Sequence, residues 1–292
     1  MTAAADDWSP PSEIEEYHLL KPLGRGAMGQ VFLAHDMLLD RKVAVKFLAG
    51  GVPDAMLRDQ FFIEARAIAR LSHPNVVAIH RVGEVRRRPY LVSEFVHGST
   101  LAELPRPVGT ARLLEIGLGL SRGRAAAHRC GVLHRDLKPA NAMITEEGEI
   151  KLLDFGLAKL LDRSSSAPAA APTDGQRVSS PLYMAPEIWR DEPATRASDV
   201  YSVGVFLYEL AAGRAPFDEL APAELARAAQ ERDVPALASV APEVDARLAA
   251  VIDRCLRRDP AARPRSGDEL REALEALVVT ERAALPAGNP YP

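Results

Sequence analysis

The spacing of the apolar residues changes near residue 100 of this 292-residue chain. Between residues 17 and 50, the runs YHLLKPL, QVFLAHD and KVAVKFL are apolar and partly β-branched, and glycine-rich or polar turns separate them. This pattern predicts an antiparallel sheet, followed by a helix over residues 54–71 and another strand in RPYLVSEFV. From about residue 111, longer periodic segments predict helices, and SGDE predicts a capping box at the start of the last one. We therefore expect an α+β fold with a small β-rich half before a larger helical half.

Composition and charge argue against several classes of protein. The formal net charge is −4, so polyanion binding is not expected, and RVGEVRRRP is interpreted as a solvated hairpin rather than a nucleic-acid patch. No apolar run approaches the roughly 18 to 20 residues of a membrane-spanning helix, and the acidic start differs from a basic signal peptide. Cys130 and Cys255 lack metal-ligand spacing and are expected to be core thiols. These features predict a cytoplasmic protein with no nucleic-acid partner and no membrane span.

The glycine-rich stretch LGRGAMGQV contains the pattern G-x-G-x-x-G at Gly24, Gly26 and Gly29. A dinucleotide-binding fold would need a helix next, but QVFLAHD predicts a strand, and Gln30 and Val31 stand where a Walker loop has lysine and a hydroxyl residue. A glycine hairpin remains, whose backbone amides can lie over phosphates without obstruction by side chains. A flexible hairpin without a ligand is the alternative.

Only six of the 36 basic residues are lysines. Lys46 and Lys138 therefore become candidates for positions that need a compact ammonium, although chance is the alternative for any one lysine. In the predicted helix over residues 54–71, one carboxylate, Glu64, lies within the apolar stripe. A buried carboxylate needs a cation, and Lys46 could pair with Glu64 and still reach a ligand phosphate. A partly exposed glutamate at the edge of the stripe is the other interpretation.

The stretch VLHRDLKPANAMI, residues 132–144, places polar residues between two apolar segments. Continuing through TEEGEIKLLDFG, the pattern predicts a β-hairpin with its turn between Glu147 and Gly148, which would bring Asn141 and Asp154 to the same end. Asn and Asp supply hard oxygen ligands that Mg²⁺ accepts. Asp136 enters the same region on a loop and could orient an attacking hydroxyl. A polar turn with incidental charges is the alternative, and it requires three coincidences.

Eight motifs follow one another in a fixed order: GRGAMGQV, VAVK, Glu64, HRDLKPAN, DFG, APE, SDVYSVG and DPAARP. With these motifs, residues 17–278 resemble the eukaryotic-like (Hanks-type) protein Ser/Thr kinase family, including its bacterial members. The resemblance implies a bilobal kinase fold and transfer of the γ-phosphate of ATP to Ser/Thr hydroxyls of protein substrates, with Mg²⁺, or Mn²⁺ in its place. The implied limits are a tail over 1–16, an N-lobe over 17–96, a C-lobe over 97–278, and a tail or linker over 279–292.

The resemblance also assigns roles to residues of the site. Asp136 would be the catalytic base, Lys138 would stabilise the γ-phosphate, and Asn141 and Asp154 would bind the metal. Lys46, paired with Glu64, would hold the α- and β-phosphates. The residues assigned to ATP binding are Leu23, Gly24, Arg25, Gly26, Ala27, Met28, Gly29, Val31, Ala44, Lys46, Glu64, Ser93, Glu94, Val96 and Met143.

Three further residues resemble structural positions of the family. Glu187 and Arg263 would form a buried ion pair in the helical lobe, and Asp199 would brace the catalytic loop. Ser179 and Ser180 stand where the family usually has Gly-Thr, so the backbone before APE could differ.

The low-complexity segment RSSSAPAAAPTDG lies where the family has its activation loop. A phosphate there could pair with Arg135 and organise the loop, while an inert surface loop is the alternative. Dimerisation would allow autophosphorylation between two copies. The candidate phosphosites are Ser164, Ser165, Ser166, Thr173 and Ser179.

Ser93 stands where the family usually has a bulkier side chain, behind the adenine pocket. A serine there predicts extra volume behind the purine. Collapse of Met143 or Ile68 into that space is the alternative.

Three classes of function are compared. An active protein kinase has every catalytic residue type in place, whereas a pseudokinase or nucleotide-binding scaffold would be indicated by loss of Lys46, Asp136 or Asp154. A small-molecule phosphotransferase would lack the SSPLYMAPE and SDVYSVG elements. The sequence favours the active protein kinase.

Overall fold

The computed structural model describes residues 8–26, 29–48, 55–155 and 180–284. These residues form two compact units, which divide between His97 and Gly98. The first unit precedes this boundary, and the second unit comprises the described residues from 98 onwards.

The first unit is an antiparallel sheet with one helix, as predicted. Its strands pair in the order β1-β2-β3-β4-β6-β5. A two-residue turn joins the last two strands, and Arg86 and Arg87 in this turn have φ values of 49° and 63°, typical of a type I′ hairpin. The predicted solvated hairpin is therefore confirmed. The elements are β1 (Glu13–Ile14), β2 (Tyr17–Gly26), β3 (Gly29–Asp36), β4 (Arg41–Leu48), α1 (Ala55–Ala69), β5 (Ile79–Val85) and β6 (Arg88–Glu94).

An aromatic cluster covers one face of this sheet. The ring of Phe47 lies 5.2 Å from that of Trp8, 5.8 Å from that of Phe32 and 6.1 Å from that of Tyr90, measured between centroids. Trp8 precedes β1, so residues 8–16, which were predicted to be part of a tail, contribute a strand and an aromatic side chain to the unit.

The second unit is mainly helical, with a small three-stranded sheet in the order β7-β8-β9. Two long helices, α2 and α4, carry a large share of its buried apolar residues, including Leu113, Leu120, Phe206 and Leu210. The elements are β7 (Gly98–Thr100), α2 (Thr110–Arg129), β8 (Ala142–Thr145), β9 (Ile150–Leu152), α3 (Pro186–Trp189), α4 (Arg196–Ala212), α5 (Pro222–Glu231), α6 (Leu237–Val240), α7 (Ala246–Cys255) and α8 (Gly267–Ala284).

The capping box predicted at the start of α8 is only half formed. The Ser266 hydroxyl accepts the Glu269 amide at 3.4 Å, which is one half of the predicted capping box. The Glu269 carboxylate, however, accepts the Arg265 amide at 3.0 Å, one residue earlier than the box requires. The helix continues to Ala284, past residue 278, which was the predicted end of the C-lobe.

The cysteine prediction is half wrong. Cys255 is buried, as expected, and its burial raises the pKa of the thiol to about 12. Cys130 is exposed, because it lies at the end of α2 where the chain turns outwards. Within the described part of the chain, no helix combines the length and apolarity needed to cross a membrane.

Candidate active site

The hairpin of β8 and β9 places the predicted metal ligands at one end. Ala142 pairs with Leu152 and Ile144 with Ile150, so the pairing is centred on Glu147. The predicted centre, between Glu147 and Gly148, was therefore half a residue too late. Leu153, not Asp154, lies across from Asn141, and its amide donates to the Asn141 carbonyl at 2.9 Å. Asp154 follows directly.

Two residues of this region have an uncommon backbone conformation. Arg135 has φ 65° and Asp154 has φ 47°, both in the left-handed region. Such a conformation costs of order 1–3 kcal/mol for a residue other than glycine, and it occurs preferentially at functional sites. With this left-handed backbone, Arg135 is exposed, whereas its neighbours His134 and Asp136 are buried.

Asp136 is held by two of the predicted site residues. The Lys138 ammonium lies 3.3 Å from Oδ2 of Asp136. The Asn141 amide donates to the backbone carbonyl of Asp136 at 2.7 Å and to its Oδ2 at 3.0 Å. Because both Nδ2 hydrogens of Asn141 point to Asp136, its Oδ1 is the side-chain atom left for a metal.

His134 links the catalytic loop to the strand that leads to Asp154. Its Nε2–H donates to the carbonyl of Leu153 at 2.8 Å, and its ring lies 4.8 Å from that of Phe155. Burial, and after it the charge of Arg124, lowers the pKa of His134 to about 3. The imidazole is therefore neutral, as this donor role requires.

Asp199 binds the start of the catalytic loop through both carboxylate oxygens. The amides of His134 and Arg135 donate to Oδ2 and Oδ1 at 3.0 and 3.1 Å. His128 donates to Oδ2 at 3.1 Å, and Arg124 forms an ion pair with the same oxygen. The predicted bracing role of Asp199 is confirmed, whereas Arg124 and His128 were not singled out from the sequence.

The predicted ion pair of the helical unit is also confirmed. Arg263 donates from two guanidinium nitrogens to the two oxygens of Glu187 at 2.8 and 2.9 Å. Both side chains are buried. The pair fixes the short helix α3, which directly follows the SSPLYM segment.

A second polar group holds residues 180–184, which precede α3. The Tyr183 hydroxyl donates to Glu209, which also pairs with Arg106. The Ser202 hydroxyl donates to the Tyr183 carbonyl at 2.8 Å. Burial, and then the charge of Glu209, raises the pKa of Tyr183. These contacts rest on residues far apart in sequence, so no local pattern could reveal them.

In the first unit, four nucleotide-binding candidates share one face of the sheet. Val31 pairs with Lys46, and Ala44 with Ser93, and directly paired residues of antiparallel strands lie on the same face. Phe47, the neighbour of Lys46, lies on the opposite face with the aromatic cluster. The aromatic cluster and the candidate residues therefore occupy opposite sides of β4.

The glycine segment leaves room beside its backbone. A Cβ atom added at Gly24 or Gly26 would have no described heavy atom within 4 Å, so packing within this part of the chain does not demand glycine there. Gly29 has φ 128°, which glycine tolerates best. Both Gly24 and Gly26 are exposed, so their backbone is open on the surface of this unit. Ala27 and Met28 lie outside the described residues.

The remaining candidates lie at the ends of strands or on the helix. Leu23 and Arg25 are exposed on β2, and Glu64 is half-buried on α1. The Glu94 carbonyl, at the end of β6, accepts the Ser93 hydroxyl at 3.3 Å. Val96 is buried in the first unit, and Met143 is half-buried on β8 in the second. Pairing of Lys46 with Glu64 stays a prediction.

The donor set fits a magnesium ion only in part. Among the described residues, no group of three or more His, Cys, Asp or Glu could hold a metal on its own. Asn141 and Asp154 supply two side-chain oxygen donors, and Mg²⁺ commonly completes its shell with water and substrate phosphates. The residues therefore fit a metal that binds together with a nucleotide.

Comparisons with known proteins assign the chain to a family. The protein kinase domain family matches residues 17–276. The chain belongs to the protein kinase family. This kinase domain is 36% identical over 275 residues to a probable serine/threonine-protein kinase of Corynebacterium efficiens, with 90% of this chain and 41% of that protein covered. It is 36% identical over 277 residues to serine/threonine-protein kinase PknL of Mycobacterium bovis, with 92% and 67% covered.

Solved structures confirm the bilobal kinase fold. The PknI kinase domain of Mycobacterium tuberculosis is 26% identical, with a TM-score of 0.71, and the match covers 93% of this chain and all of that one. The kinase domain spans about two fifths of the length of several bacterial relatives. The predicted Hanks-type, bacterial relationship is therefore confirmed. The five candidate phosphosites, Ser164, Ser165, Ser166, Thr173 and Ser179, lie outside the described residues.

Proposed function

We propose that this kinase domain is an ATP- and Mg²⁺-dependent protein serine/threonine kinase. The observation that carries the proposal is the arrangement around Asp136. A buried carboxylate, held by Lys138 and Asn141, lies on a loop that Asp199 fixes from behind and that His134 ties to the strand before Asp154.

Each residue has a chemical role in this proposal. Asp136 accepts a hydrogen bond from the attacking Ser or Thr hydroxyl of the protein substrate and orients it. Lys138 holds a positive charge beside that carboxylate, where negative charge develops during transfer. Asn141 and Asp154 would hold Mg²⁺, with Mn²⁺ as a substitute. ATP supplies the γ-phosphoryl group when it is bound.

Residues of the first unit would bind the nucleotide. The face of the sheet with Val31, Ala44, Lys46 and Ser93 would take the adenosine and phosphates, and the open space beside Gly24 and Gly26 supports phosphate binding through backbone amides. The backbone of Glu94 and Val96 would contact adenine, and Leu23, Arg25, Ala27, Met28, Gly29, Glu64 and Met143 complete the proposed set.

Transfer of labelled phosphate from ATP to a protein substrate tests the proposed function. Asp136→Ala should lower turnover by roughly 10²- to 10⁴-fold, the range for positioned acid–base groups. Asp233→Asn is the matched control, because Asp233 is exposed and pairs only on the surface with Arg258. Wild-type turnover in Asp136→Ala would exclude the proposed mechanism.

The alternative is a pseudokinase or nucleotide-binding scaffold. It would bind Mg-ATP without transferring phosphate, so calorimetric binding combined with an absence of phosphorylated products would identify it. The intact set of Lys46, Asp136 and Asp154 favours the active kinase.

Regulation by phosphorylation of the segment before APE is part of the proposal. Arg135 is exposed on the catalytic loop and could accept a phosphate on Ser164, Ser165, Ser166, Thr173 or Ser179 as a charge-assisted partner. Two copies would associate for autophosphorylation. The proposed compartment is the cytoplasm, which supplies ATP and keeps thiols such as Cys130 and Cys255 reduced. Phosphatase treatment should lower activity, and unchanged activity would contradict this switch.

Ser93 gives the proposed nucleotide site a feature of its own. Its side chain is half-buried, and its hydroxyl is satisfied by the Glu94 carbonyl at 3.3 Å, so no desolvation penalty opposes a small residue there. We expect the wild type to bind ATP analogues with a bulky group on the exocyclic amine, and Ser93→Met to reject them while retaining ATP. Equal dissociation constants for the bulky analogue in both proteins would mean that the extra volume is filled.

A further inference from the structure

Arg124 is a buried cation within helix α2. Its side chain is 1% exposed, and its ionic partner is Asp199 on α4, which is 4% exposed. The Nε and Nη1 atoms of Arg124 have no hydrogen-bond partner among the described residues. Burying a guanidinium is costly unless a carboxylate compensates it. Among the described residues, Arg124 therefore forms one ion pair and takes part in no wider hydrogen-bond network.

The partner of Arg124 holds the catalytic loop. Asp199 accepts the amides of His134 and Arg135, and Arg135 has the left-handed backbone that sets the direction of Asp136. Each of these hydrogen bonds is strongest while the acceptor is ionised. A neutral Asp199 would accept weaker hydrogen bonds from these two loop amides.

Among the described residues, only His128 joins Arg124 within ion-pair distance of Asp199, while the charge of Arg196, three residues before Asp199, reaches His128 as a weaker influence. His128 also touches the carboxylate, but its Nδ1 accepts the Gly267 amide at 3.0 Å, so its single proton is on Nε2. Burial, and then the charge of Arg124, lowers the pKa of His128 to about 3, so His128 is neutral. Burial lowers the pKa of Arg124 to about 9, which still leaves it charged at neutral pH.

Helix α8 packs closely on the turn of α2 that carries Arg124. A Cβ atom added at Gly267, the first residue of α8, would lie 2.5 Å from the Ala125 amide nitrogen and 2.9 Å from Cβ of Arg124. Helix α8 therefore closes directly over this turn of α2.

We propose that Arg124 is a positioning residue of the kinase, which keeps Asp199 ionised and thereby fixes the direction of Asp136. The proposal rests on the proposed function of Asp136. Without Arg124, the buried carboxylate of Asp199 takes up a proton or admits water. The hydrogen bonds from the His134 and Arg135 amides then weaken, and Asp136 is held less firmly.

Steady-state kinetics of Arg124→Met, with ATP and a protein substrate, tests the proposal. Methionine fills similar space without charge. Since a misplacement of about 1 Å can cost roughly 100-fold, we expect kcat to fall by about 10- to 100-fold. The KM for ATP should stay unchanged, because the loop and not the nucleotide site is altered. Arg124→Lys, which keeps the charge, should restore a large part of kcat.

Hydrogen exchange provides a readout that does not depend on activity. The amides of His134 and Arg135 should exchange faster in Arg124→Met than in the wild type. Arg122→Met is the matched control, because Arg122 lies two residues away on the same helix and is exposed in a pair with Glu275. It should change neither kcat nor exchange.

The outcomes separate this proposal from the proposed function. Wild-type kcat and wild-type exchange in Arg124→Met would overturn the positioning role. A wild-type protein that transfers no phosphate would overturn the proposed function, while the exchange experiment would still decide whether Arg124 holds the loop. Should Arg124→Met not fold, Arg124→Gln gives the same neutral test, and unchanged loop exchange in it would overturn the proposal equally.

Discussion

Two buried arginines of the second unit, Arg263 and Arg124, are bonded in different ways. Arg263 donates to both oxygens of Glu187 and to the carbonyls of Ala197, Arg257 and Arg258, and its guanidinium lies 4.9 Å from the centre of the Tyr201 ring.

Among the described residues, Arg124 has a single ionic partner, Asp199, whose other hydrogen bonds come from two amides of the catalytic loop and from His128. A satisfied buried arginine stabilises the fold around it. A buried arginine with a single ion pair, such as Arg124, mainly keeps its carboxylate partner ionised. We therefore expect stability to depend most on Arg263 and catalysis most on Arg124.

The largest expected effect is on stability. Arg263→Met leaves the buried Glu187 carboxylate without its cation and should lower the free energy of unfolding by about 3–5 kcal/mol. Urea unfolding followed by circular dichroism measures this change. Arg124→Met should cost less, because Asp199 keeps three N–H donors. Equal losses of unfolding free energy in Arg263→Met and Arg124→Met would contradict the different roles of the two arginines.

A smaller effect should follow from changing the shape of the cation alone. Arg263→Lys keeps the charge but loses the fork that meets both oxygens of Glu187, so we expect a loss of roughly 1–3 kcal/mol in the free energy of unfolding. Arg265→Lys is the control, because Arg265 is 88% exposed and should show no measurable loss. If Arg263→Lys were as stable as the wild type, the bidentate geometry would not matter.

The smallest effect concerns a carboxylate near the surface. Hydrogen bonds from the Arg265 amide, and then from its side chain and Arg254, lower the pKa of Glu269 to about 2. A lowered folded-state pKa means that Glu269 stabilises the fold above its usual pKa and that this contribution is lost as the pH falls towards 2. Glu269→Gln should make the acid limb of the thermal midpoint shallower. Glu272→Gln, at an exposed position, should not.

Sequence patterns predicted most of the fold because alternation and periodicity are local. In KVAVKFL, alternate residues belong to opposite faces, and the structure puts Val45 and Phe47 in the core and Lys46 opposite them. The hairpin that carries Asn141 and Asp154 was also predictable, since turn residues and apolar runs mark it. Its register was off by half a residue, because local pattern does not determine which amide bonds which carbonyl.

Arg124 could not be predicted in the same way. An arginine in a helix usually faces water, and only its position four residues before His128, on the buried side of α2, distinguishes it. Its partner Asp199 belongs to another helix, so tertiary packing alone brings the two together. Cys130 illustrates the converse case, since an apolar sulfur was expected inside and the end of the helix placed it outside.

The aromatic cluster of the first unit has a consequence for spectroscopy. Trp8 lies against Phe47 in that unit, with the Arg88 guanidinium 4.2 Å from its ring, and the other tryptophan of the chain, Trp189, ends α3 in the second unit. Each unit thus contains one of the two tryptophans of the chain. Emission from Trp8→Phe and Trp189→Phe variants would report the unfolding of one unit at a time, and a difference in midpoint between them would show that the two units melt independently.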